Sequence, residues 1–145
     1  DKALQLNPNN SVAYNSRGNA YKGLKKYERA IKNYDNAIKL NPNDAGYYYN
    51  RGDSYRNLEQ FELAIADYNK AININPSFAE AYNNRGLSYA LTRNFKQAIV
   101  DATKAIQLNP NYSNAYQLRG ICYEALGEEE KAQVDFAKAK QLGWN

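Results

Sequence analysis

The chain of 145 residues contains no histidine and a single cysteine, Cys122. Without histidine the commonest general base and the commonest metal ligand are missing. One cysteine permits no intramolecular disulfide and no Cys-x-x-Cys site. Cys122 stands where neighbouring segments carry Ala20, Ser54 and Ser88, so it reads as a small buried thiol. Free cysteine without disulfides points to a cytoplasmic setting. There is no glycine-rich phosphate loop, no pair of carboxylates at metal spacing and no apolar run of membrane-spanning length. Catalysis, a cofactor and a metal are therefore not expected, and neither is membrane insertion. The basic excess is local: residues 11 to 44 hold seven Lys or Arg against three acids, while 45 to 78 hold three against four. Lys22, Lys25, Lys26, Arg29, Lys32 and Lys39 fall where solvated helix faces are expected, so nucleic acid is not the expected partner.

What the chain does have is a period. Asn-Pro recurs at Asn7, Asn41, Asn75 and Asn109, and Arg-Gly at Arg17, Arg51, Arg85 and Arg119, every 34 residues. A fixed period of this length marks stacked helix-turn-helix units. Residues 1–10 match the tail of such a unit, and further units run 11–44, 45–78, 79–112 and 113–145, a single array over 1–145. Within residues 11–44, Ala13, Tyr14, Gly18, Ala20, Tyr21 and Leu24 share one helical face. Tyr27, Ala30, Ile31, Tyr34, Ala37, Ile38 and Leu40 share another. Gly23 and Gly127 are the expected left-handed turn residues. Asn-Pro ends each second helix, since a residue before proline avoids the helical region. Asn9, Asn43, Ser77 and Asn111 are the expected caps of the helices that follow.

Gly18, Gly52, Gly86 and Gly120 each give up about 1 kcal/mol of helix propensity, which implies close approach by the facing helix, with Ala30, Ala64, Ala98 and Ala132 as the matching hollow. Tyr21, Tyr55, Tyr89 and Tyr123 would pack beside that contact. The arginine before each glycine is costly to bury alone. Asp67, Asp101 and Asp135, with Asn33 in the first unit, recur in phase with it. A pairing follows, either within a unit or across a junction such as Asp67 with Arg85. The functional alternative is an arginine ladder that binds acidic ligands.

The set Tyr14, Gly18, Tyr21, Ala30, Tyr34, Ala37, Pro42 resembles the tetratricopeptide-repeat signature, with tyrosine for the usual first tryptophan. It recurs three times more, with Ala102 in place of an aromatic and Trp144 in place of a proline. The resemblance implies an all-α, right-handed α-solenoid of about eight helices plus a short N-terminal helical remnant. It also implies a concave groove lined by the first helix of each unit. The groove positions carried over include Asn15, Asn19, Lys22, Tyr49, Asn50, Asp53 and Arg56 in the first two units. In the last two they include Asn83, Asn84, Leu87, Leu91, Gln117, Leu118 and Ile121. Amides suit a peptide backbone and aliphatics an apolar anchor.

The function implied is a protein-protein interaction scaffold that holds a peptide or helix of a partner protein. The alternative is an architectural segment of a longer solenoid that self-associates, as a homo-oligomer, through its repeat ends; Trp144 is expected as a plug over the last unit, the other reading being an exposed anchor for a partner. The family's clamp for chaperone carboxylate tails needs three cations where this chain has Asn15, Glu80 and Asn84, so that ligand is not expected, although Asn19 and Asn50 match its two asparagines.

Overall fold

The computed structural model describes residues 4, 5 and 7–144. Residues 1–3 and 6 of the expected N-terminal remnant, and residue 145, lie outside the described residues; Leu4 and Gln5 are helical. The helices are α1 (Ser11–Gly23), α2 (Tyr27–Leu40), α3 (Ala45–Asn57), α4 (Phe61–Ile74), α5 (Ala79–Leu91), α6 (Phe95–Leu108), α7 (Ser113–Ala125) and α8 (Glu129–Gln141). No strand occurs among the described residues, so the chain is all-α. It divides into two compact units, Asp1–Pro76 and Ser77–Asn145. In the first, α1 pairs with α2 and α3 with α4, α2 packs on α3, and α1 touches α3. In the second, α5 to α8 repeat that arrangement.

The connections differ in detail from the sequence reading. Gly23 is the last residue of α1, and the left-handed residue is Lys25 (φ 56°), with Glu59, Arg93 and Gly127 at the same place in later repeats. The Lys26 amide then bonds the Tyr21 carbonyl at 2.9 Å, closing the helix whatever the side chain. The caps sit one residue later than expected. Asn10 accepts from the Ala13 amide at 3.0 Å and Asp44 from the Gly46 amide at 2.8 Å, while Phe78 and Tyr112 hold the place without capping the helix through a side chain. The asparagine before proline has its own task. Asn7, Asn41 and Asn109 accept from the amides two residues on, at 3.0, 3.3 and 3.1 Å, folding the chain over the proline.

The facing helix does approach each glycine, but the nearest visitor is usually a ring. A Cβ on Gly18 would lie 2.5 Å from Tyr34 Cε1, one on Gly52 2.9 Å from Tyr68, and one on Gly120 2.5 Å from Phe136. The alanines at 30, 64, 98 and 132 are fully buried, and the Ala98 carbonyl lies 3.2 Å from a Cβ built on Gly86. The third repeat has Ala102 where the ring would be. Leu118 and Asp101 fill the space instead, at 3.2 and 3.1 Å from the same Cβ position.

Each arginine beside a glycine finds its partner in its own repeat. Arg51, Arg85 and Arg119 fork onto both oxygens of Asp67, Asp101 and Asp135 at 2.7–2.8 Å. Arg17 Nε bonds Asn33 Oδ1 at 2.6 Å. Both Asp67 oxygens are engaged by Arg51 of the same repeat. A third nitrogen can reach back to the preceding repeat: Arg51 to Asp35 at 2.7 Å and Arg119 to Thr103 at 3.1 Å. The first aromatic of each signature lies under the guanidinium, 5.3–5.7 Å from ring centre to Cζ. Burial pulls the Arg51 pKa down, but Asp67 and Asp35 outweigh it and hold it above its ordinary value. The hydrogen bonds Arg85 donates to Asp101 hold its pKa up in the same way.

Cys122 is fully buried against Ala98, Ala102 and Leu118, and burial pushes its thiol up to about 11. A disulfide-exchange reagent at pH 8 should therefore label it at the rate of unfolding, and prompt labelling of the folded chain would contradict the packing. Gly120→Ala should cost about 1–3 kcal/mol, because the Phe136 ring has to move. Gly86→Ala, with no ring opposite, should cost less; denaturant midpoints of the two variants decide the order.

Candidate peptide-binding faces

Helices α1 and α3 lie side by side in the first unit, and the groove positions of both face a shared polar network. Lys22 Nζ bonds Asn50 Oδ1 at 3.2 Å and Asp53 Oδ2 at 3.4 Å. Asn50 Nδ2 donates to Asn15 Oδ1 at 3.1 Å. The network is anchored from behind by the second helices. Tyr34 Oη donates to Asn19 at 2.8 Å and Tyr68 Oη to Asp53 at 2.8 Å. Burial and the Asp53 charge hold both phenols well above their ordinary pKa, so both are donors at neutral pH. Arg56 Nη2 stands 3.9 Å from Asp53, and the Tyr49 ring is tilted against Tyr68 at 6.0 Å. The sequence assigned Lys22 to a ligand; here its charge is already met by Asp53. Asn19 stays exposed, and Asn15, Asn50 and Tyr49 are half-buried with spare hydrogen-bonding capacity.

In the second unit α5 and α7 are neighbours in the same way, but their face is aliphatic. Leu87 packs on the core cluster, while Leu91 is 52% and Ile121 44% exposed. Leu118 is only 5% exposed and belongs to the core rather than to the face. The reason is Ala102: with no ring there, Leu118 turns inward to fill the space beside Gly86. Asn83 is also buried. Its Nδ2 donates to Asn84 Oδ1 at 3.2 Å, and its own Oδ1 has no hydrogen-bond partner. Asn83 holds the repeat position of Asn15, whose oxygen accepts from Asn50, but Leu118 holds the position of Asn50 and offers no donor.

Gln117 stands apart from that face. It lines a cavity of about 360 Å³ with Phe136, Lys140 and Trp144. Gly143 (φ 86°) and the bond from the Trp144 amide to the Ala139 carbonyl, at 3.0 Å, fold the tryptophan back beside α8. Trp144 stays 41% exposed, at the lip of the cavity rather than sealing it. The sequence signals for this cleft were the glycine and tryptophan that replace Asn-Pro. Among the described residues no group of three or more His, Cys, Asp or Glu could hold a metal, and no helix is long and apolar enough to cross a membrane.

Comparison with known proteins agrees with this architecture. Family models described as tetratricopeptide repeat match residues 11–44 and 79–112, and 33–66 and 102–134, and a TPR repeat model matches 52–92. No curated protein sequence matches the chain. Among solved structures it is similar to MamA, at 29% identity and a TM-score of 0.90 over 97% of this chain and 82% of that one. It is similar to the first TPR of Spaghetti (RPAP3) bound to the HSP90 peptide SRMEEVD, at 27% identity and a TM-score of 0.79, covering 81% and 93% of the two chains. It is also similar to the Arabidopsis OM64 TPR domain, at 30% identity and a TM-score of 0.78, covering 79% and 95%. The chain therefore belongs to the tetratricopeptide-repeat family, a family of non-catalytic helical scaffolds.

Proposed function

We infer that this scaffold binds a peptide or helix of a partner protein on the faces made by its first helices. The observation that carries this reading is the residue content of those faces. Packing of the repeats uses the glycines, alanines, rings and arginine forks. Packing engages only part of the hydrogen-bonding capacity of Asn15, Asn19 and Asn50, and it leaves the half-exposed Leu91 and Ile121 unexplained. Amides accept and donate to an extended backbone, and aliphatic side chains offer an anchor. The solved RPAP3 domain, with its bound HSP90 peptide, supports peptide binding as a use of this fold.

The partner differs from that one in chemistry. A carboxylate tail needs cations, and Asn15, Glu80 and Asn84 stand where the clamp carries them. Lys22 is already paired with Asp53.

The test is selection from a random dodecapeptide library, followed by amide chemical-shift mapping of the selected peptides. Shifts should concentrate on α1, α3, α5 and α7. Shifts confined to the second helices, or failure to enrich any peptide, would remove the reading. The HSP90 peptide SRMEEVD should not saturate below about 1 mM.

A further inference from the structure

We propose that the α5/α7 face takes a branched aliphatic side chain with a lysine or arginine about one helical turn away, and that this pair identifies the partner segment. The proposal rests on the peptide-binding reading above and adds the chemistry of the ligand.

Two positions are matched in each repeat. The ninth residue of the first helix faces the aromatic of the second. The pairs are Asn19 with Tyr34, Asp53 with Tyr68, Leu87 with Ala102, and Ile121 with Phe136. Where a hydroxyl is present, it donates to the polar ninth residue at 2.8 Å. Where the hydroxyl is absent, the ninth residue is aliphatic. Loss of the hydroxyl removes the need for an acceptor, but it does not require an apolar replacement at a site that solvent reaches. Ile121 at 44% and Leu91 at 52% exposure are therefore not explained by packing. Leu87, held by the core cluster one turn from Leu91, gives the face a fixed floor.

Charge specifies the rest of the ligand. The groove positions of α5 and α7 carry two acids, Glu80 and Glu124, and no lysine or arginine. Both acids are exposed, and among the described residues neither has an ion pair. Glu124 follows Ile121 by three residues and so lies on the same side of α7. An aliphatic anchor between Leu91 and Ile121 thus places a neighbouring lysine or arginine beside Glu124. An acidic segment would meet the Glu124 carboxylate there, a repulsion that argues against it, and Glu80 adds the same sign of charge at the other end of α5. The buried Asn83 oxygen without a donor fits the same reading: polar complementarity across α5 and α7 has been given up for an apolar one.

The test uses the full chain and dodecapeptides selected from a random library. The expected result is enrichment of aliphatic residues paired with Lys or Arg. Affinity should drop about tenfold or more in Ile121→Ser and Leu91→Ser, and several-fold in Glu124→Gln, with the last effect shrinking as salt rises. Lys104→Ala, at an exposed position of the second helix α6, should leave it unchanged. All these sites are at least partly exposed, so matching melting curves establish that each variant is folded. Enriched peptides that are acidic, or that bind Ile121→Ser as well as wild type, would overturn this proposal while leaving peptide binding intact. Enrichment of nothing would overturn both. Self-association lost in Ile121→Ser would reassign the face to a second copy of the chain, which also overturns it.

Discussion

A guanidinium partly buried between the two helices of each repeat is the constraint from which much else follows. Arginine cannot lose its proton, so its charge has to be met where it sits. The answer is a carboxylate sixteen residues on, with both oxygens taken in three of the four repeats and Asp101 only 1% exposed. A bidentate fork tolerates little rotation or sliding, so it fixes the register of the two helices as well as their distance. The reach of Arg51 to Asp35 and of Arg119 to Thr103 carries that register into the preceding repeat of the same unit. The first repeat is the exception. Arg17 meets the neutral amide of Asn33 there, and its charge is hydrogen-bonded without being neutralised by that partner.

A second chain of cause runs from the interior to the binding faces. A glycine admits a ring from the facing helix in three repeats, and where that ring carries a hydroxyl the surface must offer an acceptor. Tyr34 and Tyr68 bring hydroxyls, so Asn19 and Asp53 stand above them, and Asp53 then holds Lys22. Ala102 and Phe136 bring none, and Leu87 and Ile121 stand there instead. The polarity of each face is thus written partly in the second helices, which do not belong to the face themselves.

Much of this was legible in the sequence because it is periodic. Helix placement, the Asn-Pro stops, the close approach at the glycines and an acidic partner for three of the four arginines all follow from residues recurring in phase. What escaped was aperiodic or non-local. The left-handed turn falls on Lys25, Glu59 and Arg93, residues with no turn signature, because the helix-closing backbone bonds impose it. The depth of Leu118 depends on Ala102, a neighbour on the preceding helix, and no property of Leu118 itself reveals it. The neutralised state of Lys22 depends on Asp53, in the next repeat. The sequence could name the groove positions, but it could not say which of them the fold had already used.

The claim that the arginine forks hold each repeat together is tested most directly by a double-mutant cycle on Arg85 and Asp101, read by chemical denaturation. The account predicts that Asp101→Ala alone costs about 3 kcal/mol, because it takes both fork oxygens from a largely buried cation, and that adding Arg85→Leu restores much of the loss. That is a coupling well above the few tenths of a kcal/mol seen between independent sites. Additive losses, or an Asp101→Ala variant as stable as the parent, would contradict it and would return the arginines to the pool of candidate ligand-binding groups.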